Sequence, residues 1–263
     1  RRLPARMTGA KVPAMHTTEL LAPAGTLHNL RYAIAYGADA VYAGMPRYSL
    51  RVRNNDFLED KLRTGIAEAH AQGRQFFVAT NVMPHGAKLK TFLDDIEPVI
   101  DMAPDALIMA DPGLIMLVRE RWPDTPVHLS VQANTMNHAS VRFWQTQGIS
   151  RIILSRELSL KEVAEIREEC PDIELEVFVH GALCIAYSGR CLLSGYMSHR
   201  DSNQGACTNT CRWKYNTQEA RETSTGDIVP IQTVEPPPAQ ITELPVVLLE
   251  EETRPGELMP AYE

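Results

Sequence analysis

No apolar run in the 263-residue sequence approaches the roughly 20 residues that a membrane-spanning helix needs, and no secretory h-region is present. Both absences exclude a helical membrane protein and predict a cytoplasmic one. There is no H-E-x-x-H helix, and no serine or cysteine sits in the setting of a nucleophile elbow. The residues themselves therefore give no support to hydrolysis. No standard RNA-binding module is visible either. Cysteine is scarce, with five residues in all. In a reducing compartment the few thiols that do cluster are metal-binding or catalytic more often than disulfide-bonded.

Charge of one sign is also lacking over most of the chain. The net charge of −7 comes from the region Asn216–Glu263, which holds ten acidic residues against two basic ones. The other 215 residues balance to +1, so any nucleic-acid surface must be a local patch rather than a property of the whole chain. Arg1–Thr18 has four basic residues and no acid, and Met15 is a possible start. Residues 1–18 are accordingly read as a disordered extension outside the fold.

From Glu19 to Cys184 one unit recurs: a short β-rich run, a polar turn, an amphipathic segment. Strands are predicted at Glu19–Ala22, Ala40–Tyr42, Gln75–Thr80, Ala106–Ala110, Val127–Val131, Arg151–Leu154 and Glu174–Val179. Helices are predicted at Leu27–Tyr36, Phe57–Gln72, Lys88–Met102, Gly113–Arg121, His138–Gln147 and Leu160–Glu169. Ser159 with Glu162 reads as a capping box, and Gly37, Gly73 and Gly148 read as helix stops. Seven alternating units predict a parallel α/β sheet of the (β/α) TIM-barrel type, one unit short of closure. The missing eighth is expected from C-terminal truncation. The organisation expected is a barrel core over 19–183, a cysteine-rich loop over 184–215, and an acidic, Pro-rich segment over 216–263 with one strand near Leu244–Leu249.

Barrel chemistry sits at the carboxyl ends of the strands. Successive strands deliver polar residues there, among them Asn81, Asp111, Gln132, Asn134, Arg156, Glu157 and His180. That convergence makes a candidate site without naming a substrate. His180, at a strand end, is a candidate general acid or base. Glu176, on the same face by period two, either orients His180 or answers an arginine.

Four of the five cysteines, Cys184, Cys191, Cys207 and Cys211, fall inside one stretch, with six, fifteen and three residues between them. Clustered thiolates are soft ligands that favour an iron–sulfur cluster or zinc. Zinc sites pair cysteines at short spacing, which only Cys207 and Cys211 show. Cys170, before Pro171 at a helix end, reads as structural.

The stretch E-V-F-V-H-G-A-L-C-I-A-Y-S-G-R-C, Glu176–Cys191, resembles the signature of the collagenase-like peptidase family of unassigned mechanism. A-P-A-G-T, G-A-D-A-V-Y-A-G, Y-S-L-R-V-R-N-N, S-V-Q-A-N and I-L-S-R-E-L resemble the same family, and the likeness runs from about residue 19 to the end. It is nearest to the family's tRNA-hydroxylating members. The resemblance implies oxygen-independent hydroxylation of the wobble uridine to 5-hydroxyuridine, with prephenate as co-substrate and the tRNA anticodon region as partner. It also implies an iron–sulfur cluster of the 4Fe–4S type. Cys184, Cys191 and Cys207 match three family ligands by position, and Cys211 is the local candidate for the fourth. Prephenate carries two carboxylates and needs paired cations, for which Arg156 is the first choice, then Arg51, Arg53 and Arg47. Asn81, Gln132 and Asn134 complete the expected substrate site, with His180 and Glu176 as the catalytic pair. Tyr48, Tyr187 and Trp213 are candidates for stacking an RNA base. Two other readings stay open at this point: a peptidase, and a non-catalytic iron–sulfur accessory protein.

Overall fold

Side chains of a strand alternate between two faces, and the pattern Q-F-F-V-A-T of Gln75–Thr80 is apolar on both, as a strand covered on both sides must be. The computed structural model describes residues 18–50, 55–181, 184, 186–187, 190–230, 246–251 and 258–262. The seven expected strands are present as β1 (Leu21–Pro23), β2 (Ala40–Gly44), β3 (Gln75–Thr80), β4 (Ala106–Met109), β5 (Val127–Leu129), β6 (Arg151–Ile153) and β7 (Glu174–Glu176). They form one parallel sheet in sequence order, β1 through β7. The six helices between them are α1 (Leu27–Ala35), α2 (Glu59–Ala71), α3 (Gly86–Ile100), α4 (Pro112–Arg121), α5 (His138–Thr146) and α6 (Leu160–Glu169).

The outer face of the sheet packs on the helices. Val41, Phe76, Val78, Leu107, Met109, Leu129 and Ile152 meet Leu30, Leu62, Phe92, Ile96, Leu114 and Val118 in one buried core. The inner face carries a second, smaller core of Ala40, Phe77, Ala79, Ala106, Ile108, Val131 and Ile153. Small residues recur on the inner face because it is concave and strands converge there. Curvature is shown directly by an ion pair: Arg151 on β6 reaches Glu19, at the entry to β1, across 132 residues of sequence. The sheet is thus a curled partial barrel, the TIM-type fold that the alternation predicts.

Helix ends follow their local chemistry. The Ser159 hydroxyl accepts from the Glu162 N–H, and the Glu162 carboxylate accepts from the Ser159 N–H at 2.7 Å, completing the capping box. Gly37, Gly73 and Gly148 lie at φ of 100°, 66° and 76°, the left-handed geometry that ends a helix without Cβ strain. Cys170 is buried beside the carbonyl of His138, as a structural thiol should be.

After β7 the structure departs from the expected irregular chain. The cysteine-rich loop contains a short helix, α7 (Leu193–Ser198), and one-turn 3-10 helices at Ser202–Gln204 and Thr210–Arg212. Beyond it lie β8 (Tyr215–Glu222), β9 (Ile228–Pro230), β10 (Val246–Glu251) and β11 (Leu258–Tyr262), an antiparallel sheet in the order β11-β10-β8-β9. One of these four was expected, near Leu244–Leu249. The N-terminal extension, apart from Thr18, and the triple proline at 236–238 lie outside the described residues.

Candidate functional site

The C-terminal ends of β3 and β5 bring Asn81, Ser130 and Gln132 into one hydrogen-bonded group. Asn81 Nδ2 donates to Ser130 Oγ and to Gln132 Oε1, both at 3.1 Å. Ser130 Oγ also donates to Gln132 Oε1. On its other side Asn81 Oδ1 accepts the Leu50 N–H at 3.2 Å, tying the loop after β2 into the same group. Asn134 sits in the left-handed region at φ 53° and donates to the Gln132 carbonyl at 2.9 Å. The expected substrate trio is therefore assembled, but not as three equal ligands. The amide hydrogens of Asn81 are both engaged with protein, and Asn134 holds a turn, so these two position Gln132 rather than face a substrate. Asp111, another rim residue, caps α4 by accepting from the Leu114 N–H at 2.9 Å.

Of the expected cations among the described residues, Arg156 is the one without a carboxylate partner. It is half-buried, its guanidinium lies 3.9 Å from the centre of the Phe178 ring, and no described carboxylate pairs with it. A cation resting over a ring, with no carboxylate on its donors, can still offer them to an anion. Arg47 is otherwise occupied, paired with Asp95 at 2.8 Å. Arg51 and Arg53 lie outside the described residues. Tyr48 is not available for stacking, because it is fully buried against Phe92 with its hydroxyl 2.6 Å from Asp95. Burial, and then the Asp95 bond, hold its phenol above the ordinary pKa. Tyr187 is exposed.

The expected catalytic pair lies on and just beyond β7. His180 is exposed, four residues past the end of β7, and no hydrogen bond joins it to Glu176 among the described residues. Glu176 instead answers an arginine. Its carboxylate lies 3.8 Å from Arg151 Nη1, too long for a hydrogen bond, and Oε2 is buried with no hydrogen-bond partner. Burial pushes this carboxyl up to about 7, with Arg151 opposing the rise and Glu19 adding to it.

Arg151 is the residue that sequence reasoning missed. Its guanidinium donates to Glu19 at 2.6 and 3.1 Å, in the bidentate manner, and to Glu174 at 2.7 Å. It also covers the Phe77 ring at 5.2 Å. Burial alone would lower its pKa, but the Glu19 and Glu174 bonds hold it above the ordinary value. His128 packs edge-on against Phe77, and burial followed by Arg151 holds it down to about 3, so it is neutral in the folded protein at physiological pH. The available signal was inward alternation: Arg151, Ile153 and Ser155 share one face of the β6 segment, so a charge there points into the barrel. A cavity of about 440 Å³ opens beside this group, at the N-terminal end of the strands, lined in part by Gln75, Phe77, Asp105 and His128. In barrel enzymes that end serves stability rather than chemistry.

The cysteine loop is seated on the chemical end. Asn203 accepts from the Cys191 N–H at 3.2 Å and donates to the Cys191 carbonyl at 3.2 Å. Its own carbonyl accepts the Met83 N–H at 3.1 Å, and Gln204 donates to the Met83 carbonyl, both just past β3. Ser194, Ser198 and Thr208 share hydroxyl hydrogen bonds of about 3 Å that fold the loop on itself. All four thiols are free. Cys184 and Cys211 are exposed, and Cys191 and Cys207 are half-buried. Among the described residues, however, no three His, Cys, Asp or Glu side chains come together as a metal-holding group. The donor chemistry fits a soft metal or cluster, and the sulfurs are not preassembled to hold one. No helix among the described residues is long and apolar enough to cross a membrane.

Residues 25–236 match the model of peptidase family U32. The chain is 62% identical over 256 residues to the tRNA hydroxylation protein P of Escherichia coli (strain K12), covering 95% of this chain and 56% of that protein. It is 34% identical over 204 residues to the 23S rRNA 5-hydroxycytidine C2501 synthase of the same organism, covering 78% of this chain and 30% of that protein. Among solved structures, the U32 peptidase Mk0906 superposes with a TM-score of 0.52 at 17% identity, over 67% of this chain and 72% of that one, a likeness of fold. The chain spans about half the length, or less, of the curated relatives it matches here.

Proposed function

The chain belongs to peptidase family U32, and from that premise we propose that it serves as an RNA-modifying enzyme that hydroxylates the wobble uridine of tRNA to 5-hydroxyuridine, without oxygen and with prephenate as co-substrate. What carries the reading is the 62% identity, over nearly the whole of this chain, to a protein named for tRNA hydroxylation. The site is compatible with it. Arg156, seated over the Phe178 ring, offers guanidinium donors to a carboxylate of prephenate. Gln132 offers an amide to a base. His180, exposed beyond β7, is free to hold or move a proton at the uracil ring. Tyr187 is available for stacking a splayed anticodon base. The cytoplasm is the compartment that supplies such a tRNA.

An iron–sulfur cluster held by Cys184, Cys191, Cys207 and Cys211 is part of this proposal; when bound, it would supply one-electron chemistry. Its support is the set of four free thiols in one loop, with the Cys191 peptide fastened to the rim by Asn203.

Mass spectrometry of tRNA nucleosides tests the function. A strain lacking its own wobble hydroxylase should regain 5-hydroxyuridine-derived nucleosides when it expresses the protein. Unrestored nucleosides, together with cleavage of casein or gelatin by the purified protein, would overturn the proposal in favour of a peptidase.

A further inference from the structure

The orientation of one side chain at the rim is dictated by a relay of donors and acceptors that begins in the backbone. The Leu50 N–H can only donate, so the Asn81 atom 3.2 Å from it is the oxygen. Asn81 Nδ2 must then face the other way, where it lies 3.1 Å from both Ser130 Oγ and Gln132 Oε1. A donor facing Gln132 settles that amide in turn: its oxygen points at Asn81. The buried Ser130 hydroxyl, which accepts from Asn81, sends its own hydrogen to the same Gln132 oxygen. With two donors on Oε1, the acceptor end of Gln132 is satisfied. Nε2 is turned away from the group, on a half-buried residue, and finds no partner among the described residues.

We infer that Gln132 is a specificity-determining residue for the base, presenting N–H donors and no acceptor to the substrate. A pyrimidine edge bearing a carbonyl oxygen, as in uracil, is accepted; the same edge bearing an amino group, as in cytosine, is refused, because two donors would face each other. Asn81 and Ser130 are positioning residues that keep the amide from flipping. This inference rests on the reading of an RNA pyrimidine as substrate and goes beyond it by naming what distinguishes one pyrimidine from another.

The test uses the whole chain and two anticodon stem–loop RNAs, identical except for uridine or cytidine at the wobble position, titrated by fluorescence anisotropy. Wild type is expected to favour the uridine RNA by about tenfold, the discrimination of one hydrogen-bonded base edge. Gln132→Glu, which replaces the donor by an acceptor, should abolish or invert that ratio. Asn81→Asp keeps the Leu50 bond but presents an acceptor to Gln132. The amide then turns over and the preference moves toward cytidine, which a merely structural role for Asn81 would not produce. An unchanged ratio in both variants, each shown to be folded by its thermal melt, overturns the inference while leaving the proposed function in place. Equal weakening toward both RNAs also overturns it, because the amide would then hold RNA without reading the base. Wild type that binds neither RNA overturns the RNA-modifying function itself.

Discussion

Replacing Arg151 by methionine removes a buried cation while keeping most of its length over Phe77. Its side chain is 11% exposed and neutralises Glu19 through two hydrogen bonds, Glu174 through one, and Glu176 through proximity. Taking one partner from a fully buried pair costs about 3–5 kcal/mol, because a charge is left without compensation. Glu174 is well exposed and will be rescued by water, whereas Glu176 is 19% exposed and will not. The expected loss is therefore about 2–4 kcal/mol, or roughly 5–15 °C in melting temperature for a chain of this size. The deficit should also depend on pH. The Glu176 carboxyl already titrates at about 7 with Arg151 lowering it, so in the variant it is protonated to still higher pH. Acidification to about pH 5 neutralises it and should shrink the deficit, while about pH 8 should show it in full. Circular-dichroism melts of both proteins at the two pH values measure this. A difference under about 2 °C at the higher pH, or a deficit no smaller at the lower one, would refute the reasoning.

Glu176→Gln removes the titration itself. A carboxyl raised in the folded state favours folding at low pH and loses that contribution as pH rises from its unfolded value of about 4.5 toward 7, so the variant should match wild type in acid and exceed it by about 1–3 kcal/mol near neutrality in urea titrations. Gly65→Ala on α2 places a Cβ 2.8 Å from the Phe57 ring and 3.1 Å from Phe76, and should lower stability by about 1–3 kcal/mol despite the better helix propensity of alanine. Anaerobically purified wild type should carry iron and sulfide with a broad visible absorption, and Cys184→Ala or Cys207→Ser should bleach it; a colourless, iron-free wild type would remove the cluster.

The barrel was legible because its signals are local and repeated. Glycine stops, a capping box and apolar alternation each mark one boundary, and seven such marks in order leave one sheet topology. The antiparallel sheet beyond the cysteines was not legible for the opposite reason. Y-N-T-Q-E-A-R-E in β8 has no apolar face, and M-P-A-Y in β11 contains a proline that reads as a breaker, so backbone pairing forms these strands without a side-chain pattern. At the rim, residue type and strand end singled out Asn81, Gln132, Asn134 and Arg156 as candidates. They could not say which amides face protein and which face outward, because that depends on a backbone N–H from another loop. Glu176 was singled out and its partner was not, since an arginine at the first position of a strand looks like a surface residue until the sheet curls.

Asn203 belongs to two neighbourhoods at once: its side chain grips both polar ends of the Cys191 peptide, and its main chain grips the segment leaving β3. One short turn of polypeptide thus couples the thiol-bearing loop to the strand that carries Asn81. A displacement of either is felt by the other within a few bonds, so the seating of the Cys191 peptide and the placement of the segment that carries Asn81 share a single hinge pin.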